Sequence, residues 1–224
     1  MSQVKKVVGE LQSQEDRIDC LVCNAGVLLN DRRESSEGKE VTFASHFLGG
    51  TYLLSQLLLP QLKAAKEDSR VVIVSSGGMY TTPFPDWETA TSTGAAKEKY
   101  DGNLAYAYAK RGQVLYAKEM TKMHPEITWL TCHPGWTATP AVDQAYGESK
   151  KYLEPMRKSW EGAEGIAWLI GTEKKNLESG AYYLDRKPQR EHLAGPFFSE
   201  GSFTKNSQAE VDEMMKKLKE EAGL

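Results

Sequence analysis

The fold is decided by a stretch that reads RVVIVSSGG at residues 70–78. Its first five residues are mostly β-branched, and no charge follows the arginine, which is the composition of a strand covered on both faces. The Ser-Ser-Gly-Gly end is typical of a tight turn. We therefore predict a buried strand over residues 70–74 that stops where the two serines begin a turn.

Comparable segments lie on both sides of this strand. Apolar runs predict three further strands at residues 18–22, 127–132 and 180–184. Apolar residues at helical spacing predict helices at residues 4–14, 40–66, 104–123, 161–169 and 208–222. Strands that alternate with helices of this length indicate an α/β fold with a doubly wound parallel sheet. We expect one domain over residues 1–224.

Bulk composition excludes several classes of function. The 224 residues are 40% hydrophobic and 26% charged, which is ordinary for a globular domain. A formal net charge of −3 gives no basic excess, so we expect neither a nucleic-acid partner nor an anionic membrane. The longest apolar stretch, residues 52–62, is interrupted by polar residues and a proline, so we expect no transmembrane segment. The first residues are not apolar, so we expect no secretory signal.

The cysteines indicate a reducing compartment. Their number, three, is odd, which argues against a disulfide scaffold and for a cytoplasmic protein. Cys20 and Cys23 form a Cys-x-x-Cys pair, but they lie on a predicted strand, where residues three apart point to opposite faces. We predict core thiols here and no metal site.

Three Tyr-x-x-x-Lys pairs are candidates for acid–base chemistry, namely Tyr106/Lys110, Tyr146/Lys150 and Tyr183/Lys187. So short a pattern also occurs by chance. Only the first pair opens a long predicted helix after a strand that ends in Ser-Ser, and only that helix precedes a strand that ends in Pro-Gly. This context selects Tyr106 and Lys110.

The spacing of this pair has a physical purpose. Residues four apart stack on one face of a helix, so the Lys110 ammonium can lie beside the Tyr106 phenol. A phenol has a pKa of about 10 in water, and an adjacent ammonium favours the phenolate and lowers that value. The pair would then act as an acid–base group near neutral pH. The alternative is a solvated lysine and a half-buried core tyrosine on an amphipathic helix.

Four motifs in a fixed order carry a resemblance to a known family. They read Cys23-Asn24-Ala25-Gly26, Val74-Ser75-Ser76-Gly77, Tyr106-Ala107-Tyr108-Ala109-Lys110 and His133-Pro134-Gly135-Trp136. In this order they resemble the short-chain dehydrogenase/reductase family over essentially the whole chain. The segments at residues 75–79, 133–136 and 185–188 are similar to one branch of that family.

The resemblance implies a nicotinamide-dependent oxidoreductase that interconverts a carbonyl and an alcohol on a small molecule. Ser76 would polarise the substrate carbonyl, and Tyr106 would give or take its proton. Lys110 would also bind the nicotinamide ribose, while hydride transfer belongs to the cofactor, NAD or NADP. The implied cofactor-binding residues are Asn24, Ala25, Gly26, Tyr106, Lys110, Pro134, Gly135, Trp136 and Thr139.

Two motifs depart from the family pattern. Cys23 replaces the first residue of an Asn-Asn-Ala-Gly motif. His46 stands where a proton-relay asparagine is expected in a pattern like Phe-x-x-Asn-x-x-Gly. An imidazole can donate and accept hydrogen bonds, so we count His46 among the catalytic residues. The alternative is a histidine that only packs the helix.

The segment between Ser76 and Tyr106 is longer than is common in the family. Its residues 77–102 are rich in Thr, Pro, Gly and charge, so we predict a long surface segment. It resembles the enlarged substrate loop of some reductases. We expect its aromatic residues to form apolar walls for a lipophilic substrate. These residues are Tyr80, Phe84, Trp87 and Tyr100.

The glycine-rich turn of a dinucleotide fold does not occur in the 224 residues. Such a fold uses its first βαβαβ half for that turn and for the pyrophosphate. We therefore expect a catalytic C-terminal portion that lacks this half and is truncated at its N-terminus. The strand at residues 18–22 would then expose a sheet edge, which invites pairing with another chain.

Two functions follow from these patterns. The first is a truncated oxidoreductase acting on a lipophilic carbonyl or alcohol. The second is a non-catalytic partner of full-length subunits, because the family often assembles through the helices equivalent to residues 40–66 and 104–123. The same helices would form a homo-oligomer. A flavodoxin-like binding module would explain the strands but not the ordered motifs.

Overall fold

The computed structural model describes residues 1–66, 69–193 and 203–224. Its strands are β1 Cys20–Cys23, β2 Arg70–Val74, β3 Thr128–Cys132, β4 Tyr182–Leu184 and β5 Lys187–Gln189. Its α-helices are α1 Ser2–Gln14, α2 Val41–Phe43, α3 Leu54–Leu57, α4 Leu59–Ala64, α5 Trp87–Thr91, α6 Gly102–Met123, α7 Pro140–Tyr146, α8 Ser159–Gly171 and α9 Gln208–Ala222. A π-helix, Ala44–Leu53, joins α2 to α3, and 3-10 helices cover Gly77–Tyr80, Gly94–Lys99, Gly147–Leu153 and Lys174–Asn176.

The strands form one sheet in the order β1-β2-β3-β4-β5. The first four strands are parallel, and β5 pairs with β4 in the antiparallel direction. Cys23 pairs with Ile73 and Val74 pairs with Cys132, so β1, β2 and β3 end at the same edge of the sheet. The predicted α/β fold is confirmed, with one added antiparallel strand that the sequence pattern did not indicate.

Alternate residues of the strands face two separate cores. Val71, Ile73 and Trp129 pack with the helices α1, α6 and α9 on one face. Val72, Val74, Leu130 and Cys132 pack with Leu169 of α8 on the other face. Helices therefore cover both faces of the sheet, as the uncharged sequence of β2 predicts.

The Cys-x-x-Cys pair divides between these two cores. Cys23 is buried with the first cluster, whereas Cys20 packs against the second. All three cysteines are free. The prediction that these are core thiols on opposite faces of a strand is confirmed.

The helix predicted at residues 40–66 is broken into four pieces. A helix with π geometry hydrogen-bonds five residues apart, which brings the Ser45 carbonyl close to Gly50. A Cβ on Gly50 would lie 2.0 Å from that carbonyl oxygen, so this position requires glycine. The backbone turns again at Leu58, and α4 begins next to Pro60. Apolar spacing alone does not distinguish such a helix from a regular α-helix.

The aromatic residues of the 77–102 segment pack onto the protein itself. Phe84 lies 6.2 Å from Phe47, and Trp87 lies 5.4 Å from Phe43, both as edge-to-face pairs. Both partners belong to the first core. These rings cover the helix that begins at residue 41.

The two remaining aromatic residues of this segment are also engaged within the chain. The Tyr100 hydroxyl oxygen lies 3.2 Å from both the Leu29 carbonyl oxygen and the Glu40 carboxylate, and either can accept its one hydrogen. Tyr80 donates to the Arg190 carbonyl at 2.6 Å. These contacts engage all four aromatic residues within the chain, and their role as walls of a substrate site stays a prediction.

The sheet edge at β1 is open. Among the described strands, β2 is the only hydrogen-bonded neighbour of β1. Leu21 and Val22 are half-buried rather than buried. In the described part of the chain, no helix has the length and apolar character needed to cross a membrane.

Replacing Gly50 by alanine should destabilise the protein by about 1–3 kcal/mol, because the added methyl group overlaps the Ser45 carbonyl. Gly9 of α1 has open space around the same position. Gly9→Ala should therefore raise the free energy of unfolding by about 0.5–1 kcal/mol through helix propensity. Urea unfolding of both variants measures this difference. Equal effects of the two substitutions would contradict the π-helical packing.

Candidate active site

The candidate residues meet where β1, β2 and β3 end. In parallel α/β sheets, ligands bind at this carboxyl edge. Ser76 follows β2, and the Pro134-Gly135 loop follows β3. Tyr106 and Lys110 lie in the first turns of α6, which crosses from β2 to β3. The sheet topology therefore collects residues that are far apart in the sequence.

The two serines after β2 have different surroundings. Ser75 is buried, and its hydroxyl donates to the Lys110 carbonyl at 2.9 Å. Ser76 is half-buried, and its hydroxyl accepts from the Gly78 N–H at 3.2 Å. Ser76 also lies close enough to the Tyr106 phenol to lower its pKa. The first serine therefore holds α6 to the sheet, and the second has no part in that contact.

The Tyr106 ring lies in a narrow slot. Gly78 lies against one side of the ring, since a Cβ there would be 3.6 Å from it. The His46 ring stands edge-on, with 5.1 Å between ring centroids. Burial raises the pKa of Tyr106, and the nearby Ser76 hydroxyl opposes that shift only in part. The phenol is therefore protonated at neutral pH.

Lys110 lies beneath this tyrosine in the protein interior. Its side chain is 3% exposed, its Nζ donates to the Val74 carbonyl at 2.7 Å, and Nζ lies 5.3 Å from the centre of the Tyr106 ring. Burial lowers the pKa of Lys110 to about 7. The expectation that the pKa of Tyr106 is lowered is wrong for this structure, because desolvation disfavours the phenolate and also leaves Lys110 only partly charged at neutral pH.

His46 lies beside this pair, in the π-helix. Its Nε2 hydrogen-bonds the Val27 carbonyl at 2.7 Å, which assigns the hydrogen to Nε2. Nδ1 is buried and has no hydrogen-bond partner in the described part of the chain. Burial and the nearby Lys110 hold the pKa of His46 well below its usual value. The imidazole is neutral, with one unused acceptor.

The Asn-Ala-Gly segment follows β1 and makes room for this histidine. Asn24, Ala25 and Gly26 are exposed. A Cβ on Gly26 would lie 1.8 Å from the His46 ring, so only glycine fits against the imidazole. Gly26 and His46 therefore form one packed unit.

The loop after β3 is built around a glycine in the left-handed region. Gly135 has a φ of +77°, a value that residues with a side chain rarely adopt. Trp136 is 47% exposed and stands edge-on to Tyr146 of α7, with 5.6 Å between ring centroids. The Thr139 hydroxyl caps α7 by accepting from the Val142 N–H at 3.4 Å. The loop presents backbone and an aromatic ring at the edge of the site.

Sequence patterns assigned no function to two residues that lie near the site. His133 packs against Gly77, since a Cβ there would be 3.1 Å from its Nε2. Tyr146 is close enough to Tyr106 for its charge to raise the pKa of that phenol. Tyr146 belonged to a Tyr-x-x-x-Lys pair that context set aside, and no spacing pattern predicts that it lies near Tyr106.

The residues present fit the nicotinamide end of a dinucleotide. An ammonium has three hydrogens, and among the described residues Lys110 donates to the Val74 carbonyl alone. The unpartnered Nδ1 of His46 lies nearby. A buried lysine with hydrogens to spare and a buried acceptor without a partner suit a ribose, whose hydroxyl groups donate and accept. Lys110, Tyr106 and the Pro134-Gly135 loop would hold this part of the cofactor.

Comparisons with known proteins agree with this arrangement. A family model described as "short chain dehydrogenase" matches residues 1–87. The human protein "Dehydrogenase/reductase SDR family member 12" is 34% identical over 80% of this chain and 56% of its own length. The Streptomyces protein "Putative daunorubicin C-13 ketoreductase DnrU" is 26% identical over 84% of this chain and 62% of its own length. The chain thus spans just over half the length of these curated relatives.

A solved structure shares the fold. The 3-alpha-hydroxysteroid dehydrogenase from Pseudomonas sp. B-0831, complexed with NADH, has a TM-score of 0.63 and 21% identity. The match covers 80% of this chain and 76% of that one. The branch indicated by the segments at residues 75–79, 133–136 and 185–188 is the one to which the human relative belongs.

The free energy of unfolding should rise between pH 7 and pH 9. In this window the unfolded chain keeps Lys110 protonated, because the usual pKa of a lysine is 10.5, whereas the folded protein, with a pKa of about 7, releases the proton. The unfolded state then binds more protons, so stability increases with pH, by about 1 kcal/mol per pH unit. Buried Cys23 and Cys132, with pKa values of about 12, act in the opposite direction from about pH 8, where unfolded thiols begin to lose their protons, so the rise flattens toward pH 9.

Lys110→Met should remove this rise, and Lys118→Met, on the exposed face of the same helix, should keep it. Urea unfolding at pH 7, 8 and 9 measures the slope. An equal slope in the unaltered protein and in Lys110→Met would show that Lys110 is not the titrating group.

Proposed function

The chain belongs to the short-chain dehydrogenase/reductase family, and we propose that its Ser76, Tyr106 and Lys110 side chains interconvert a carbonyl and an alcohol with a nicotinamide cofactor. The observation that carries this proposal is the convergence of the three side chains, since Lys110 Nζ lies 5.3 Å from the centre of the Tyr106 ring and the Ser76 hydroxyl is close enough to affect the pKa of the Tyr106 phenol. A bound nicotinamide supplies or accepts the hydride. The protein supplies orientation and the proton.

Ser76 and Tyr106 act on the same substrate oxygen. In the direction of reduction, the Ser76 hydroxyl donates to the carbonyl oxygen and stabilises the negative charge that develops on it. The Tyr106 phenol then gives its proton to this oxygen. A phenol with a raised pKa is a weak acid, so it holds its proton until that charge develops. The reverse direction needs the phenolate as a base.

Lys110 balances the charge that remains on Tyr106. Its pKa of about 7 means that part of the population carries an ammonium at neutral pH. The ammonium stabilises the phenolate after proton transfer, and a ribose hydroxyl accepts from it when the cofactor is bound. His46, with Nδ1 as a free acceptor, continues the path along which a proton returns to Tyr106.

The cofactor is NAD or NADP. The NADH bound to the hydroxysteroid dehydrogenase of the same fold supports a nicotinamide. Residues for the pyrophosphate do not occur in these 224 residues, since no glycine-rich G-x-G-x-x-G turn is present in the sequence. We propose that this chain forms the catalytic portion of the domain.

We also propose a lipophilic ketone or alcohol as substrate. The exposed Trp136 ring and the neighbouring Tyr146 offer apolar surface beside Tyr106. The name of the Streptomyces relative, a ketoreductase, supports a ketone. Walls from α7 and the Pro134-Gly135 loop would add to those predicted from residues 77–102.

The alternative function, a non-catalytic partner of full-length subunits, is favoured by the open edge of β1. Assembly through the helices at residues 40–66 and 104–123 stays a prediction. Phe84, Trp87 and α9 already pack on the first of these helices, so a partner would meet a partly covered face. Copurification with a full-length subunit, without turnover, would support this second function.

Tyr106→Phe should lower kcat by about 1000-fold or more, because it removes the proton donor. Its dissociation constant for NADH or NADPH should stay within about twofold, since the ring remains in place. Tyr108→Phe is the matched control, because that phenol lies near Asp101 and Asp86 on another face of α6. Reduction of a series of ketones, with fluorescence titration of the cofactor, measures both effects. Turnover that survives in Tyr106→Phe would refute the assigned role.

His46→Phe should lower kcat by about 100-fold, because the substitution removes the acceptor Nδ1 and keeps an aromatic ring against Gly26. His46→Asn restores a side-chain acceptor and should recover most of this loss. We would compare kcat for the two variants and check that their unfolding midpoints are equal. A difference in kcat then reports the proton relay through His46 rather than the packing of its ring. Full activity in His46→Phe would leave His46 with a packing role alone.

A further inference from the structure

Arg157 and Asp185 form an ion pair at the edge of the site. Asp185 lies in the turn between β4 and β5, and Arg157 lies before α8. The Nη1 and Nη2 atoms of the guanidinium donate to the two carboxylate oxygens at 2.6 and 2.7 Å. Two parallel hydrogen bonds fix the plane of the guanidinium as well as its position.

The same guanidinium lies flat against the loop after β3. A Cβ on Gly135 would lie 2.5 Å from Nε of Arg157, so the absence of a side chain at Gly135 makes room for this contact. Nη1 also donates to the Pro134 carbonyl at 3.3 Å. The Arg157 side chain therefore forms a wall behind the Pro-Gly segment.

The backbone of Arg157 holds the next part of that loop. Its N–H donates to the Trp136 carbonyl at 2.7 Å, and its carbonyl accepts from the Ala138 N–H at 2.8 Å. Thr137 and Arg157 form a parallel bridge. One residue thus contacts the loop from residue 134 to residue 138 through both its side chain and its backbone.

His133 links this loop to the serine segment. Its Nδ1 accepts from the Gly135 N–H at 3.3 Å, and its Nε2 lies beside Gly77. Burial, with the nearby Arg157 charge, lowers the pKa of His133 to about 4, and Asp185 acts against this shift. A neutral His133 keeps its acceptor for Gly135 at physiological pH.

We propose that Arg157 and Asp185 are positioning residues that hold the loop at residues 134–138 in the geometry that binds the carboxamide of a nicotinamide cofactor. This inference rests on the function proposed above. The side chains of Arg157 and Asp185 are 32% and 60% exposed, so their ion pair adds little to overall stability. The ion pair acts instead on the position of the loop at residues 134–138.

The turn that carries Asp185 provides a matched control. Asp185 and Arg186 both have positive φ values, of 51° and 64°, in the left-handed region that non-glycine residues rarely adopt. Arg186 pairs with Glu164 of α8, beside the Arg157 pair. Both ion pairs tie the turn to the α8 region, but only the Arg157 pair, among the described contacts, touches the loop.

The first measurement is amide hydrogen exchange of residues 133–139 without nucleotide. Arg157→Met should speed exchange in this segment by about tenfold or more. Arg157→Lys keeps the charge and loses the two parallel hydrogen bonds, so it should speed exchange in this segment by a smaller factor. Arg186→Met should leave it unchanged, and exchange in α6 should not change in any variant. Equal protection of the loop in Arg157→Met and the unaltered protein would overturn the inference.

The second measurement compares the affinities for NADH and for a dinucleotide analogue that lacks the carboxamide. The unaltered protein and Arg186→Met should prefer NADH, and Arg157→Met should lose about tenfold of that preference. A general loss of folding would weaken the binding of both ligands and leave the ratio of their affinities unchanged. An unchanged ratio in Arg157→Met would overturn the role in carboxamide binding.

The two proposals fail in different ways. If the unaltered protein binds neither NADH nor NADPH, the proposed function is wrong, and the carboxamide role falls with it. If the unaltered protein prefers NADH and Arg157→Met keeps that preference, the function stands and the role of Arg157 and Asp185 is wrong.

Discussion

The buried ammonium of Lys110 is the constraint on which the arrangement of the site depends. Lys110 donates to the Val74 carbonyl at the end of β2, and its own carbonyl accepts from Ser75, the next residue after that strand. These reciprocal contacts fix the rotation of α6 against the sheet. Tyr106, one turn earlier, then meets Ser76, and Gln113, nearly one turn later, donates to the His46 carbonyl at 2.9 Å.

Holding a lysine in this place costs folding free energy. In the described part of the chain no carboxylate pairs with Lys110, and its neighbours include the buried thiols of Cys23 and Cys132. Local features that oppose stability are expected where a site must bind and react. The lowered pKa of Lys110, the raised pKa of Tyr106 and the unpartnered Nδ1 of His46 are three such features within one small volume. In the proposed function, these three polar groups lie where a ribose and a carbonyl oxygen would bind.

Local sequence patterns predicted the features that depend on local physics. The β-branched run of β2 required burial on both faces, and the four-residue spacing placed Tyr106 above Lys110. Contacts between distant segments were beyond such patterns. The π-helix at residues 44–53 depends on Gly50 meeting a carbonyl, Phe84 and Trp87 pack on a helix formed some 40 residues earlier, and the Arg157 ion pair joins segments 28 residues apart. The pKa of Tyr106 was predicted in the wrong direction because desolvation depends on the whole fold.

The most direct test of this account is thermal unfolding of the purified protein with and without excess NADH or NADPH. A ligand that binds only the folded state raises the midpoint. We expect one cooperative transition that one dinucleotide raises in the unaltered protein and leaves unchanged in Lys110→Met. A cooperative transition that neither dinucleotide raises would contradict the claim that Lys110 and its neighbours form a nicotinamide site.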